Sequence, residues 1–284
     1  MILQQILEGI YLLKSELTPP PGWQTTNLYL LGFKNLVLID TGYQDPGLVK
    51  FLKDILEQNS ARLEKILLTH GHLDHTSNLK QIKSELEPEI IAHIKAKPSL
   101  ERRRRAEQID QWIEEEKSLE SELGKIQILH TPGHSPGHIS LYLESLGVLF
   151  TGDLVVGEGT SLVGPPEGDM QEYLNSLERV KKLELKIILP GHGPIITEPY
   201  QHLNNLIEHR QLREVQILKL LQQAPLTAQE LVEKIYVGMI HPALHRAAKI
   251  TVLGHLSKLE QEGKVKAEPG EKEPNYQLLV SLPF

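Results

Sequence analysis

Residues Thr69 to His75 read THGHLDH and follow directly on the apolar run Lys65 to Leu68. The imidazoles and the carboxylate in this stretch are too polar for a core and cannot all share one face of a helix. A metal explains them economically, because neutral imidazole and carboxylate oxygen are the usual ligands of zinc and similar divalent ions. His70 and His72 alternate, so an ending strand can point both one way, while Asp74 and His75 fall on the turn beyond. The donors split into two pairs, and a pair is too few for a catalytic ion.

Further donors stand where an apolar run or a glycine-rich turn ends: His134 in TPGHSPGH, Asp153 in LFTGD and His192 in ILPGHG. Together these ligands suffice for two sites. Two divalent ions about 3.5 to 4 Å apart share a water, lower its pKa towards neutrality and clamp the attacking and leaving oxygens. That chemistry is hydrolytic. Asp74 is expected to act in it, as a ligand that also orients the water or takes its proton. His138, four residues past His134 on the same turn, is the second residue expected to serve catalysis, as a support behind the ligands. Asp40 is a further candidate for such support, since ligating imidazoles need a carboxylate or carbonyl on their far nitrogen; it reads equally well as a helix-entry or turn cap. His93, His130, His202, His209, His241, His245 and His255 lack ligand context and read as structural.

The ordered series HxHxDH, then His134, Asp153 and His192, resembles the ligand series of the metallo-β-lactamase fold hydrolases. The resemblance implies an α/β fold, an αββα sandwich. It also implies that one metal takes His70, His72 and His134, that a second takes Asp74, His75 and His192, and that Asp153 bridges. Lactamases of this fold with a cysteine ligand are excluded, because the chain has no cysteine. Flavodiiron redox proteins carry a glutamate where His72 stands, which leaves hydrolysis as the implied activity. Glyoxalase II enzymes share the ligand series but have a different C-terminal part. GEGT at 157–160, LPGHGP at 189–194, HRQLREVQIL at 209–218 and HLSKLEQEGKV at 255–265 resemble, more narrowly, the β-lactamase-like protein 2 family. That family joins the metal domain to a small winged helix, and the resemblance implies cleavage of single-stranded RNA. The same layout occurs in thioesterases acting on carrier-bound acyl chains, so thioester or ester hydrolysis is the alternative. Two Zn2+ are the expected cofactors, although such N/O donors also accept Mn2+ or Fe2+.

At 284 residues and 40% hydrophobic content, the chain can bury the core of one large domain or two. A formal net charge of −7 gives no general grip on nucleic acid or an anionic membrane. The N-terminal stretch lacks a basic region before an apolar core and a cleavage pattern. No apolar run nears the roughly eighteen residues of a membrane span. A soluble, cytoplasmic protein is therefore expected.

Strands are expected at 10–13 and 27–31, separated by the turn TPPPGW, and at 36–39, 65–68, 89–92, 125–129 and 186–189, with a hairpin of 139–143 and 148–150. Helices are expected at 46–59, 77–86 and 170–183. Every ligand then follows a strand or turn, as in a layered α/β domain. From Glu101 to Glu122, eight acids accompany five bases. Residues 95–122 therefore read as a solvated helical insertion over the site, rather than an RNA patch built on Arg102 to Arg105. The loop VVGEGTSLVGPPEGD has the composition of an active-site mouth.

The metal domain is expected to span 1–208 and a second module 209–284. A long helix over 200–223 precedes a capping box at Thr227 to Glu230, a helix closed by Gly263, and two strands. This is a winged-helix order. From Ala224 to Phe284, however, seven Lys/Arg meet seven Asp/Glu, and a neutral module grips phosphates poorly. Packing, homodimerisation or a substrate wall are the expected roles, and double-stranded DNA is not an expected partner.

Overall fold

The computed structural model describes residues 2–15, 25–114 and 116–280. The expected turn TPPPGW lies outside them. A seven-stranded sheet has the order β1 (Leu3–Leu7), β2 (Ile10–Ser15), β3 (Thr26–Leu31), β4 (Asn35–Ile39), β5 (Arg62–Leu67), β6 (Glu89–His93), β7 (Gln111–Ile113). Helix α1 (Pro46–Gln58) crosses from β4 to β5 and begins at Asp45, whose carboxylate accepts from Gly47 N at 2.8 Å. Pro46 presets the helical φ, and Leu48, Val49, Leu52 and Leu56 form the buried stripe. Helices α2 (Leu73–Thr76), α3 (Leu79–Leu86) and α4 (Lys97–Arg102) follow before β7. Asp74 and His75 thus open a short helix, where a turn was expected.

The second sheet contains β8 (Lys117–Ser121), β9 (Gly124–His130), β10 (Ile139–Leu143), β11 (Val148–Gly152) and, after α5 (Met170–Val180), β12 (Ile187–Pro190). The inner faces of both sheets share one core, in which Leu12, Leu31, Ile39 and Leu67 meet Ile128, Leu141 and Phe150. Outer cores bury α1 and α3 on the first sheet and α5 on the second. The result is the expected αββα sandwich. Its strand directions position the site: β4 and β5 are parallel, so Asp40 and the 69–75 segment leave one edge together. On the facing sheet β11 and β12 are parallel and deliver Asp153 and His192 to that edge.

Residues 95–122 are not a solvated helical insertion. Beyond the short α4 they supply β7 and β8, which extend the two sheets. Leu100 and Ile113 are buried, and β8 alternates between half-buried and exposed positions. The density of charge hid this period of two, because an edge strand needs only alternate residues against the core.

Helix α6 (Pro199–Gln223) runs unbroken through position 208. Leu203, Leu206 and Ile207 pack on the second sheet's outer core, whereas Ile217, Leu218 and Leu221 belong to a separate C-terminal core. That core is completed by β13 (Leu226–Thr227), α7 (Ala228–Ile235), α8 (His245–Gln261), β14 (Val265–Glu268) and β15 (Asn275–Leu278). The capping box at Thr227 and Glu230 is present, and Gly263 follows α8 at φ +67°. The module packs back on the metal domain: Val163 and Gly164 pass so close to Gly254 and Ile250 of α8 that a Cβ on Gly254 would meet Val163 O at 2.5 Å. No helix among the described residues is long and apolar enough to cross a membrane.

Candidate metal centre

His70, His72, Asp74, His75, His134, Asp153 and His192 all converge on the common edge of the two sheets. Ligand atoms of His70, His72 and His134 form one cluster, and those of Asp74, His75, Asp153 and His192 another; within each, every atom lies within 4.8 Å of the rest.

Each imidazole is fixed from behind. Thr69 Oγ1 donates to Asp40 Oδ2 at 2.7 Å, so its lone pair takes the Nδ1 proton of His70 at 3.0 Å. His75 Nδ1 donates to Asp40 Oδ2 at 2.8 Å, His134 Nδ1 to Leu162 O at 2.8 Å, and His192 Nδ1 to Thr25 O at 3.1 Å. His72 is reversed, with Nε2 donating to Glu167 Oε2 at 3.0 Å. A neutral imidazole has one N–H, so in the rings of the first cluster the other nitrogen presents a lone pair to the interior.

Those lone pairs face one another. His72 Nδ1 lies 3.0 Å from His70 Nε2 and 2.9 Å from His134 Nε2. Three such nitrogens repel unless a cation sits among them, so the first cluster fits a metal ion. Burial and neighbouring imidazoles hold His70 well below the usual histidine range, and burial brings His134 down to about 4. These rings therefore stay neutral, the form that ligates.

The second cluster fits a cation for a different reason. Asp153 Oδ1 lies 3.3 Å from both His75 Nε2 and His192 Nε2, and Asp74 Oδ2 lies 3.2 Å from His192 Nε2. Burial opposes charge on His192, yet Asp153 and Asp74 outweigh it and raise the ring to about 10. Burial also disfavours the Asp153 carboxylate, and His192 and His75 overcome that, holding it well below the usual carboxylate range. The cluster thus calls for positive charge, which a divalent ion supplies. Asp153 faces both clusters: Oδ1 is buried without a hydrogen-bond partner, and Oδ2 lies 3.5 Å from His134 Nε2.

Of the expected supports, Asp40 stands behind the ligands and caps no helix. It receives Thr69 N, Thr69 Oγ1 and His75 Nδ1, while Asp45 caps α1. His138 joins neither cluster. It is fully buried behind Asp153, not behind His134: its Nε2 accepts the Asp153 N–H at 3.1 Å, and its Nδ1 pairs with Thr131 Oγ1 at 3.0 Å. Among the remaining histidines, His93 and His130 stack at 4.1 Å, and His202 bonds Val156 O.

Sequence reasoning missed Glu167. Its carboxylate bonds His72, takes Ser99 Oγ at 3.3 Å and pairs with Arg102 and Arg103. The His72 contact, reinforced by the two arginines, holds the Glu167 carboxyl down to about 2. The available signal was its place in the loop expected to line the mouth. A cleft of about 560 Å3 opens over both clusters, walled by Tyr43, Leu73, Arg103, Val156, Glu158 and Leu162 among others.

An αββα sandwich with paired His/Asp clusters at one sheet edge defines a metal-dependent hydrolase. The family model "Metallo-beta-lactamase superfamily" matches residues 21–192, and "Beta-lactamase associated winged helix domain" matches residues 227–272. The chain belongs to the metallo-beta-lactamase superfamily of hydrolases and carries that winged helix. Among its relatives, the Beta-lactamase-like protein 2 homolog of Drosophila melanogaster is 34% identical over 277 residues, covering 89% of this chain and 88% of the other. An atrochrysone carboxyl ACP thioesterase of Passalora fulva is 29% identical over 255 residues, covering 86% and 73%. The structure of a beta-lactamase domain protein from Burkholderia ambifaria superposes with TM-score 0.84 at 17% identity, covering 97% of this chain and 93% of that one, and so shares both parts of the fold.

Proposed function

We propose that this chain is a dinuclear zinc hydrolase and that single-stranded RNA is its first substrate class. The observation that supports the metal pair is the set of five imidazoles, each with one ring nitrogen hydrogen-bonded outward and the other in one of two clusters, with Asp153 in the second and facing the first. In this reading His70, His72 and His134 would hold one ion, Asp74, His75 and His192 would hold the other, and Asp153 would serve both. Mn2+ and Fe2+ suit the same donors. When bound, such a pair supplies Lewis acidity and a water of lowered pKa.

The chain's own residues do the rest. Asp74 borders the cleft, where its carboxylate orients the attacking water and takes its proton. His138 fixes the Asp153 backbone, and Asp40 fixes His75 and, through Thr69, His70. The cleft walls would hold the scissile group over the clusters.

The RNA reading rests on the family resemblance and on Arg103, whose side chain lines the cleft. A second reading, thioester or ester hydrolysis, is favoured by the relative named as a carrier-protein thioesterase and by the apolar wall of Leu73, Val156 and Leu162. Incubating zinc-loaded protein with end-labelled single-stranded RNA and, separately, with an acyl thioester decides between them. RNA cleavage that Asp74→Ala abolishes supports the first reading. Thioester turnover alone supports the second, and turnover of neither class removes both.

A further inference from the structure

His72 is the ligand candidate least secured by its own surroundings. It lies between β5 and α2, and its side chain is 23% exposed, against 0% for His75 and 6% for His134. A ring in that position can rotate its Nδ1 away from His70 and His134 unless something holds Nε2. The acceptor that does so comes from 95 residues further along the chain.

We propose that Glu167 is a positioning residue for the His70, His72, His134 cluster: its carboxylate receives the His72 Nε2 proton and so aims Nδ1 at the metal. The inference rests on the reading of that cluster as a metal site. Three features carry it. Glu167 is held from behind by Ser99, Arg102 and Arg103, all on or beside α4, so its carboxylate is fixed before it meets the ring. Its loop also contributes Leu162 O to His134 Nδ1, so one stretch, 162–167, supplies acceptors for two of the three rings of this cluster. The second cluster draws on other acceptors, Asp40 for His75 and Thr25 O for His192. Loss of the Glu167 carboxylate must therefore weaken one ion and spare the other, which a mere surface ion pair with Arg102 would not do.

The test is metal binding to the full chain, stripped and titrated with Zn2+ against a chromophoric chelator, with Co2+ absorption as a second readout. Wild type is expected to take two equivalents. In Glu167→Ala one equivalent weakens by about ten- to a hundredfold, the usual effect of removing an outer hydrogen-bond partner, and the other is unchanged. The Co2+ spectrum changes for the weakened equivalent alone. Glu167→Gln keeps an oxygen acceptor and recovers most of the affinity, and it carries the comparison if the alanine variant fails to fold. Equal affinities in wild type and Glu167→Ala overturn the proposal, as does a glutamine variant no better than alanine. Wild type that binds no metal overturns the site reading itself, a separate result.

Discussion

Arg210 Nη2, midway along α6, donates to the carbonyl oxygen of Ser161 at 2.6 Å, and the residue is only 1% exposed. Its guanidinium also lies 5.1 Å from the Tyr173 ring centroid. The next residue, Leu162, gives its carbonyl to His134. The long helix leading into the winged-helix module thus grips the loop that orients a candidate ligand. With the close packing of Val163 and Gly164 on α8, this gives the module a role in holding the mouth.

Arg210→Met keeps most of the volume and removes the grip. A hydrogen bond from a charged group contributes about 1.5 to 3 kcal/mol, partly offset here by relief of a buried charge. The affinity of the His70, His72, His134 cluster for zinc is expected to fall several-fold while the second equivalent holds. Chelator titration reads this, and two unaltered equivalents would show the contact to be only structural.

Asp40→Asn tests the support of the other cluster. Asp40 sits at φ 61°, a conformation that asparagine also tolerates, so backbone strain does not confuse the outcome. The amide cannot accept from both His75 Nδ1 and Thr69 with the strength of a carboxylate. Zinc binding at the Asp74, His75, His192 cluster is expected to weaken by about ten- to a hundredfold, binding at His70 to weaken less because Asp40 reaches it only through Thr69, and turnover to fall alongside. Wild-type affinity and rate would contradict this.

Gly133 adjoins His134 at φ +130°, and an added Cβ would come within 2.2 Å of Tyr173 Cα. Because the clash is with backbone, Gly133→Ala must push the turn off α5. Destabilisation of about 3 kcal/mol is expected, the upper end of the usual overpacking cost, and His134 should be displaced with it. The chemical denaturation midpoint measures the effect, and an unchanged midpoint refutes it.

The stacked pair His93 and His130 sets a pH dependence outside the two clusters. Burial first, then the neighbouring His130 and Lys95, bring His93 from 6.5 down to about 4. A proton at His93 therefore favours the unfolded chain. Its contribution to stability is complete above about 6.5 and declines as pH falls towards about 4. An NMR titration of the His93 ring is expected to show a midpoint near 4, and one near 6.5 would mean that the stack opens.

The convergence of the candidate ligands was legible because histidine and aspartate at strand ends have few other uses, and their order along the chain survives any uncertainty over element boundaries. Their supports were less so. Leu162 and Thr25 act through backbone carbonyls, which leave no trace in residue type. Glu167 and Arg210 acquire meaning only through partners dozens of residues away. His138 was visible as a support, but sequence proximity pointed to His134, whereas the fold turns it to the Asp153 amide. The charge count from Glu101 to Glu122 concealed β7 and β8, since edge strands bury too little to stand out from a solvated segment.

The central claim is that two cations flank Asp153. Anomalous diffraction at the zinc edge, from crystals of the full chain grown with zinc, tests it most directly. Two peaks are expected, one among His70, His72 and His134 and one among Asp74, His75 and His192, with the Asp153 carboxylate between them. A single peak, or none at these residues, would contradict the claim.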